Sequence, residues 1–149
     1  MQIVEDTRNQ KGKHAKLNQQ LLDKGVCVIR SKLYVGDYTR IDNMSVCIDT
    51  KKDWVELAGN ICGAQHTRFR NECIRAQNAG IRLIILVEEE TPILEWISPK
   101  KRNGENISNV EPKTLAKAMA TMTEKYGVEF RNCDKSKTAE MIIKILGGI

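Results

Sequence analysis

The 149-residue chain is 41% hydrophobic and 29% charged, enough apolar material for the core of one α/β domain and too little length for two. Lys and Arg number 24 against 19 Asp and Glu, a formal charge of +5 that accords with a polyanionic partner without establishing one. The five cysteines, Cys27, Cys47, Cys62, Cys73 and Cys133, contain no C-x-x-C pair, which argues against a disulfide framework and against a structural zinc site, and for a reducing compartment.

Met1 to Glu5 reads as a first strand, closing at Asp6-Thr7-Arg8. Lys13 to Lys24 reads as a helix, with Leu17 and Leu21 four apart and Gly25 as its stop. Val26 to Ile29 is a second strand. Leu33 to Ile41 and Val46 to Lys51, separated by the turn-forming Asp42-Asn43-Met44-Ser45, read as a β-hairpin. Asp53 is suited to cap a helix carrying Trp54, Leu57, Ala58 and Ile61 at helical spacing. A second helix, from about His66 to Ala79, ends at Gly80, and Arg82 to Val87 is a buried strand.

Thr91 to Pro112 is irregular, with a basic Lys100-Lys101-Arg102 tip. A helix from Lys113 to Tyr126, a strand from Val128 to Arg131 and a helix from Lys135 to Leu146 complete the order. The reading is one domain: a metal-site core over residues 1–90, a basic loop over 91–112 and a helix-strand-helix over 113–149. Strands come first, then helix and strand alternate, which gives an α/β fold with a mixed central sheet flanked by helices. Four of the five cysteines fall in apolar runs and are expected as buried small hydrophobes. No apolar leader and no membrane-length stretch is seen, so an intracellular protein with no membrane partner is expected.

The hairpin brings chemistry together. With its turn centred on Asn43, Asp37 falls opposite Asp49, and directly opposed residues share a face at about 4.5–5.5 Å. Lys51 lies two steps along the same face. Opposed like charges destabilise a sheet unless something compensates, and a divalent cation does so. Hard oxygen ligands suit Mg2+ or Mn2+, which would activate water and polarise a phosphoryl oxygen. Lys51 would steady the charge that develops. Asp6, at the end of the first strand, is a further carboxylate for the same edge.

Three segments follow one another closely: Ile3-Val4-Glu5-Asp6-Thr7-Arg8, Leu33-Tyr34-Val35-Gly36-Asp37-Tyr38, and Val46-Cys47-Ile48-Asp49-Thr50-Lys51. Together they resemble the XPF-type structure-specific endonuclease domain, a branch of the PD-(D/E)xK nuclease superfamily with a restriction-endonuclease-like fold. That family carries a D-x-R-E strand end, a leucine-x-x-G-D-Y strand and a V-E-R-K strand. The resemblance runs from about residue 2 to residue 90, with Leu83 to Glu88 as the central strand. It implies catalytic roles for Asp37, Asp49 and Lys51, metal ligation by Asp6, Asp37 and Asp49, and Mg2+-dependent cleavage of branched or flapped DNA.

The chain departs from the pattern at Asn9, where the D-x-R-E glutamate would stand, and at Thr50, which replaces the arginine of E-R-K. The acidic residue expected four after the lysine falls on Val55, flanked by Asp53 and Glu56. No helix-hairpin-helix tandem follows within these residues, so substrate grip is expected from this domain, a partner or a homodimer.

Supporting roles fall to Arg8, Asp53 and Glu72, and phosphate contacts to Arg68, Arg70, Arg75, Lys100, Lys101 and Arg102, although solvated surface charge accounts for each of them as well. His14 and His66 pair with no nucleophile and are expected in core or surface roles. Trp96 could stack on bases, whereas Trp54 sits on an apolar face and is expected in the core. Three functions remain open on sequence alone: an endonuclease, a catalytically silent DNA-binding module, and a nuclease-like fold used only for protein contacts or dimerisation.

Overall fold

The computed structural model describes residues 1–96 and 110–147. The expectations for Lys100, Lys101 and Arg102 therefore fall outside the described residues. Strands β1 (Gln2–Asp6), β2 (Cys27–Ser31), β3 (Tyr38–Arg40), β4 (Asn43–Lys51), β5 (Arg82–Val87) and β6 (Glu129–Asn132) form one mixed sheet in the order β2-β1-β3-β4-β5-β6. β1 runs parallel to β2 and antiparallel to β3, β3 antiparallel to β4, and β4, β5 and β6 mutually parallel.

Helices cover both faces because the central strands are apolar on both. On β5, Leu83, Ile85 and Val87 pack beneath α2 (Trp54–Cys62), α3 (His66–Asn78) and α4 (Pro112–Tyr126). Ile84 and Leu86 point the other way, against α1 (Ala15–Asp23) and α5 (Thr138–Gly147). A strand covered on two sides needs no polar alternation, which is why Arg82 to Val87 reads as a continuous apolar run. The apolar faces of α4 and α5 serve this core: Leu115, Ile142 and Leu146 have no appreciable exposure.

The hairpin differs from expectation in a useful way. Tyr38 pairs with Ile48 and Thr39 with Cys47, so the expected register holds beside the site. The turn itself is tighter: Arg40 pairs with Asn43 across Ile41 and Asp42, and the register shifts between Thr39 and Arg40. Oδ1 of Asn43 accepts from the N–H and hydroxyl of Ser45, a local bond that stabilises the bulge this shift requires.

Leu33 to Asp37, expected as strand, is a bent approach to a three-residue β3. At its start side chains stand in for a ladder, Leu33 N–H donating to Asp6 at 2.9 Å and Leu33 C=O accepting from Arg8 at 3.0 Å, whereas Asp37 bonds to the backbone of Ile48 and Asp6. Leu33 and Val35 are still buried, so their alternation reported packing and not a strand. The last helix starts at Thr138, after a 3-10 turn over Lys135–Lys137 that Asp134 caps. Among the described residues no helix is long and apolar enough to cross a membrane.

Cys47, Cys73 and Cys133 are buried and Cys27 and Cys62 exposed, so burial holds for three cysteines and not four; all are free. Trp96 is 5% exposed and packs into the same core cluster as Trp54, which removes it as a platform for bases.

Candidate active site

A cleft of about 1080 Å³ opens where β1, β3 and β4 end against α2 and α3. Asp6, Asp37, Asp49, Thr50, Lys51 and Glu72 all line it. Arg8, Lys13, Arg68 and Arg75 add positive charge to its walls.

Asp37 enters the site from a glycine turn. Gly36 has φ of 77°, a conformation that side chains resist, and its Cα lies against β4, where a Cβ would meet the Ile48 carbonyl at 3.0 Å. Glu72, on α3, accepts the Gly36 N–H at 3.1 Å, and Asp37 N–H donates to the Ile48 carbonyl at 2.8 Å. Asp6 N–H in turn donates to the Asp37 carbonyl at 2.8 Å, so α3, β4 and β1 together fix the backbone beneath the acid.

Its carboxylate is equally constrained. Oδ2 accepts from the Thr50 N–H at 2.9 Å and the Thr50 hydroxyl at 2.8 Å, while Oδ1 accepts from Asn9 at 3.1 Å. Burial works against charge here, but the bonds from Thr50 and Asn9 overcome it and hold the carboxyl below its ordinary range. Two of the positions at which the chain departs from the family pattern, Asn9 and Thr50, therefore support Asp37.

Asp49 is the opposite case. Burial, then the charge of Asp37, push its carboxyl well above the ordinary aspartate range, with Lys51 opposing. Lys51 Nζ lies 3.1 Å from Oδ2 in an ion pair, and among the described residues no further group bonds that buried oxygen. Burial disfavours the ammonium of Lys51, but the Asp49 carboxylate outweighs it and keeps the lysine charged. Beneath the ammonium, at 5.7 Å, lies the ring of Phe69.

A buried carboxylate oxygen held by a lysine ammonium, beside a second, ordered carboxylate, is a donor set that a divalent cation would complete. Asp37 and Asp49 fit that role. Asp6 is differently placed: its Oδ2 is bound by Arg8 at 2.6 Å and its Oδ1 by Leu33 N–H. Among the described residues no group of three or more His, Cys, Asp or Glu side chains is arranged to hold a metal.

Asp53 caps α2, accepting the Glu56 N–H at 2.9 Å, and does not line the cleft, so the supporting role expected of it gives way to a structural one. Arg68 and Arg75 reach the cleft and Arg70 does not. Lys13 also lines it, though nothing in its sequence context distinguishes it from other surface lysines. Sequence reasoning also passed over Glu5, fully buried in β1 and contacting His14, Asn18 and Arg30. The signal was a glutamate inside the apolar run Ile3-Val4-Glu5.

Residues 6–145 match the ERCC4 domain family model, and the chain belongs to that family, whose members are nucleases. The chain is similar in structure to XPF from Aeropyrum pernix, with a TM-score of 0.69 at 20% identity, over 98% of this chain and 63% of that one. It is also similar to XPF from Aeropyrum pernix in complex with DNA, with a TM-score of 0.64 at 20% identity, over 97% of this chain and 62% of that one. At this identity the likeness establishes the fold, and the chain spans less than two thirds of either solved chain. No curated protein sequence matches it.

Proposed function

We propose that this chain is a divalent-metal-dependent endonuclease that hydrolyses phosphodiester bonds in branched or flapped DNA. The observation that carries the reading is the buried Oδ2 of Asp49, which faces the Lys51 ammonium in a cleft it shares with Asp37 and with Arg8, Lys13, Arg68 and Arg75. Family membership supports phosphodiester chemistry, and the structural likeness to a chain solved with DNA supports the choice of nucleic acid.

Asp37 and Asp49 would hold Mg2+ or Mn2+, with water and substrate oxygens completing the shell. When bound, the ion supplies an acidified water and a polarised phosphoryl oxygen. Asn9 and Thr50 keep Asp37 ionised and in one rotamer, so no reorganisation is needed when substrate arrives. Lys51, held protonated by Asp49, donates toward the phosphate oxygen on which charge grows. Arg68 and Arg75 receive flanking phosphates, and Asp6 anchors Arg8 at the rim. A homodimer would use the β6 side of the sheet and the face of α4, where Met119 and Phe130 line a shallow groove.

The test is a cleavage assay on linear, flapped and junction DNAs with Mg2+, Mn2+ or chelator. Cutting of branched substrates is expected with either ion and in neither Asp37→Ala nor Asp49→Ala. Folded variants that still cut, or DNA binding with no cutting in either ion, would overturn the reading. Sedimentation velocity on the same preparations reads the dimer.

A further inference from the structure

His14 stands at the N-cap position of α1, yet its side chain makes no capping bond and instead crosses to the sheet. Nδ1 lies 3.0 Å from Oε2 of Glu5, and Nε2 lies 3.4 Å from Oγ1 of Thr50. That Thr50 hydroxyl is the group that donates to Oδ2 of Asp37. A continuous row of polar contacts therefore joins a fully buried glutamate to the acid in the cleft.

The far end of the row is firmly held. Oε1 of Glu5 accepts from Arg30 at 2.8 Å and from Asn18 at 3.2 Å. Tyr38 donates to Asn18 at 2.7 Å, and its ring lies 5.5 Å from that of His14. Hydrogen counting then gives the row a direction. A hydroxyl has one hydrogen, and Thr50 gives it to Asp37, so toward Nε2 its oxygen can only accept. Nδ1 faces a carboxylate and donates to it, so donation from Nε2 to Thr50 takes a second ring hydrogen, and the row is complete when both ring nitrogens carry one.

We infer that His14 is a positioning residue for the proposed cleavage: through the Thr50 hydroxyl it fixes the rotamer of Asp37. The inference rests on the nuclease reading of the cleft. It also gives a role to the threonine that stands in place of the family's arginine. A histidine that only tied α1 to the sheet would affect stability and leave the acid alone, and the two roles separate by experiment.

Mn2+ alone is titrated, by its electron paramagnetic resonance signal, into the unaltered chain, His14→Ala, His14→Gln, Thr50→Val and the His14→Ala/Thr50→Val double variant. Circular dichroism and urea midpoints are taken for each. His14→Ala and Thr50→Val are each expected to weaken Mn2+ binding by about tenfold, the scale at which residues supporting metal ligands act. The double variant is expected to match Thr50→Val alone, because both changes cut one row. His14→Gln, which keeps a donor, is expected to recover most of the affinity.

Unchanged Mn2+ affinity in a folded but less stable His14→Ala, or additive losses in the double variant, would overturn the inference. Should His14→Ala not fold, folded Thr50→Val with unaltered affinity overturns it equally. An unaltered chain that binds no Mn2+ removes the nuclease reading and this inference with it, whereas tight binding indifferent to both positions removes the inference alone.

Discussion

Nδ2 of Asn9 donates to Oδ1 of Asp37 at 3.1 Å, across 28 residues of sequence. A glutamate at position 9 would place a second negative charge against the acid; the amide instead stabilises the ionised form. Asn9→Ala is expected to cost about 1.5–3 kcal/mol, the worth of a hydrogen bond to a charged group, read from urea unfolding. Unfolding identical to that of the parent would mean the contact is not made in solution.

Asp49 and Asp37 make opposite demands on pH. Above the ordinary aspartate value of 3.8, an acid whose carboxyl is raised by folding weakens the fold as pH climbs toward its raised value. Asp37, lowered by folding, contributes above 3.8 and loses that contribution as pH falls below it. In chelator at neutral pH, Asp49→Asn/Lys51→Met, which removes the buried pair together, is therefore expected to raise Tm, by about 2–4 °C for each kcal/mol relieved in a chain of this length. Saturating Mn2+ reverses the order of the two proteins. A lower Tm for the variant in chelator would contradict the account of Asp49.

Gly36 has no room for a side chain. The left-handed backbone and the 3.0 Å approach to the Ile48 carbonyl both penalise a methyl group. Gly36→Ala is expected to cost about 2 kcal/mol in chemical unfolding and to reduce cutting in whatever fraction remains folded. Wild-type stability in this variant would show that the turn relaxes without cost.

Lys51→Met keeps the apolar stem over Phe69 and removes the ammonium. A fall in kcat of about 10²–10³-fold with little change in KM is expected of a group that acts on developing charge. An equal rise in KM instead would assign Lys51 to ground-state binding of DNA.

Glu5→Ala strips the partner from both Arg30 and His14 in a fully buried position. A loss of about 3–5 kcal/mol is expected, the range for breaking one side of a buried ion pair. A loss below 1 kcal/mol by urea titration would show that water reaches the cluster.

Much of this was legible in the sequence because it depended on local pattern. The continuous apolar run from Arg82 to Val87 marks a strand covered on both faces, and the structure places β5 over those residues. Asp49 and Lys51 fall on one face by alternation alone, and their 3.1 Å contact follows from it. What escaped was set by long-range contacts. The bend from Leu33 to Asp37 exists because Asp6 and Arg8, 25 or more residues away, occupy its backbone groups. Asp6 has the type and position of a ligand, and its oxygens accept from Arg8 and from the Leu33 N–H, partners that no spacing rule announces. His14 is likewise unremarkable on its own helix, and only the packing of α1 against β4 gives it Thr50 as a neighbour.

The helix α3 supplies Arg68 and Arg75 to the cleft wall and, between them in sequence, Glu72 to the turn beneath Asp37. Under the phosphate-binding role proposed for the two guanidinium groups, whatever draws them also loads the bond from Glu72 to Gly36. An engineer who redesigns this helix for tighter hold on a polyanion will be retuning the blade along with the handle.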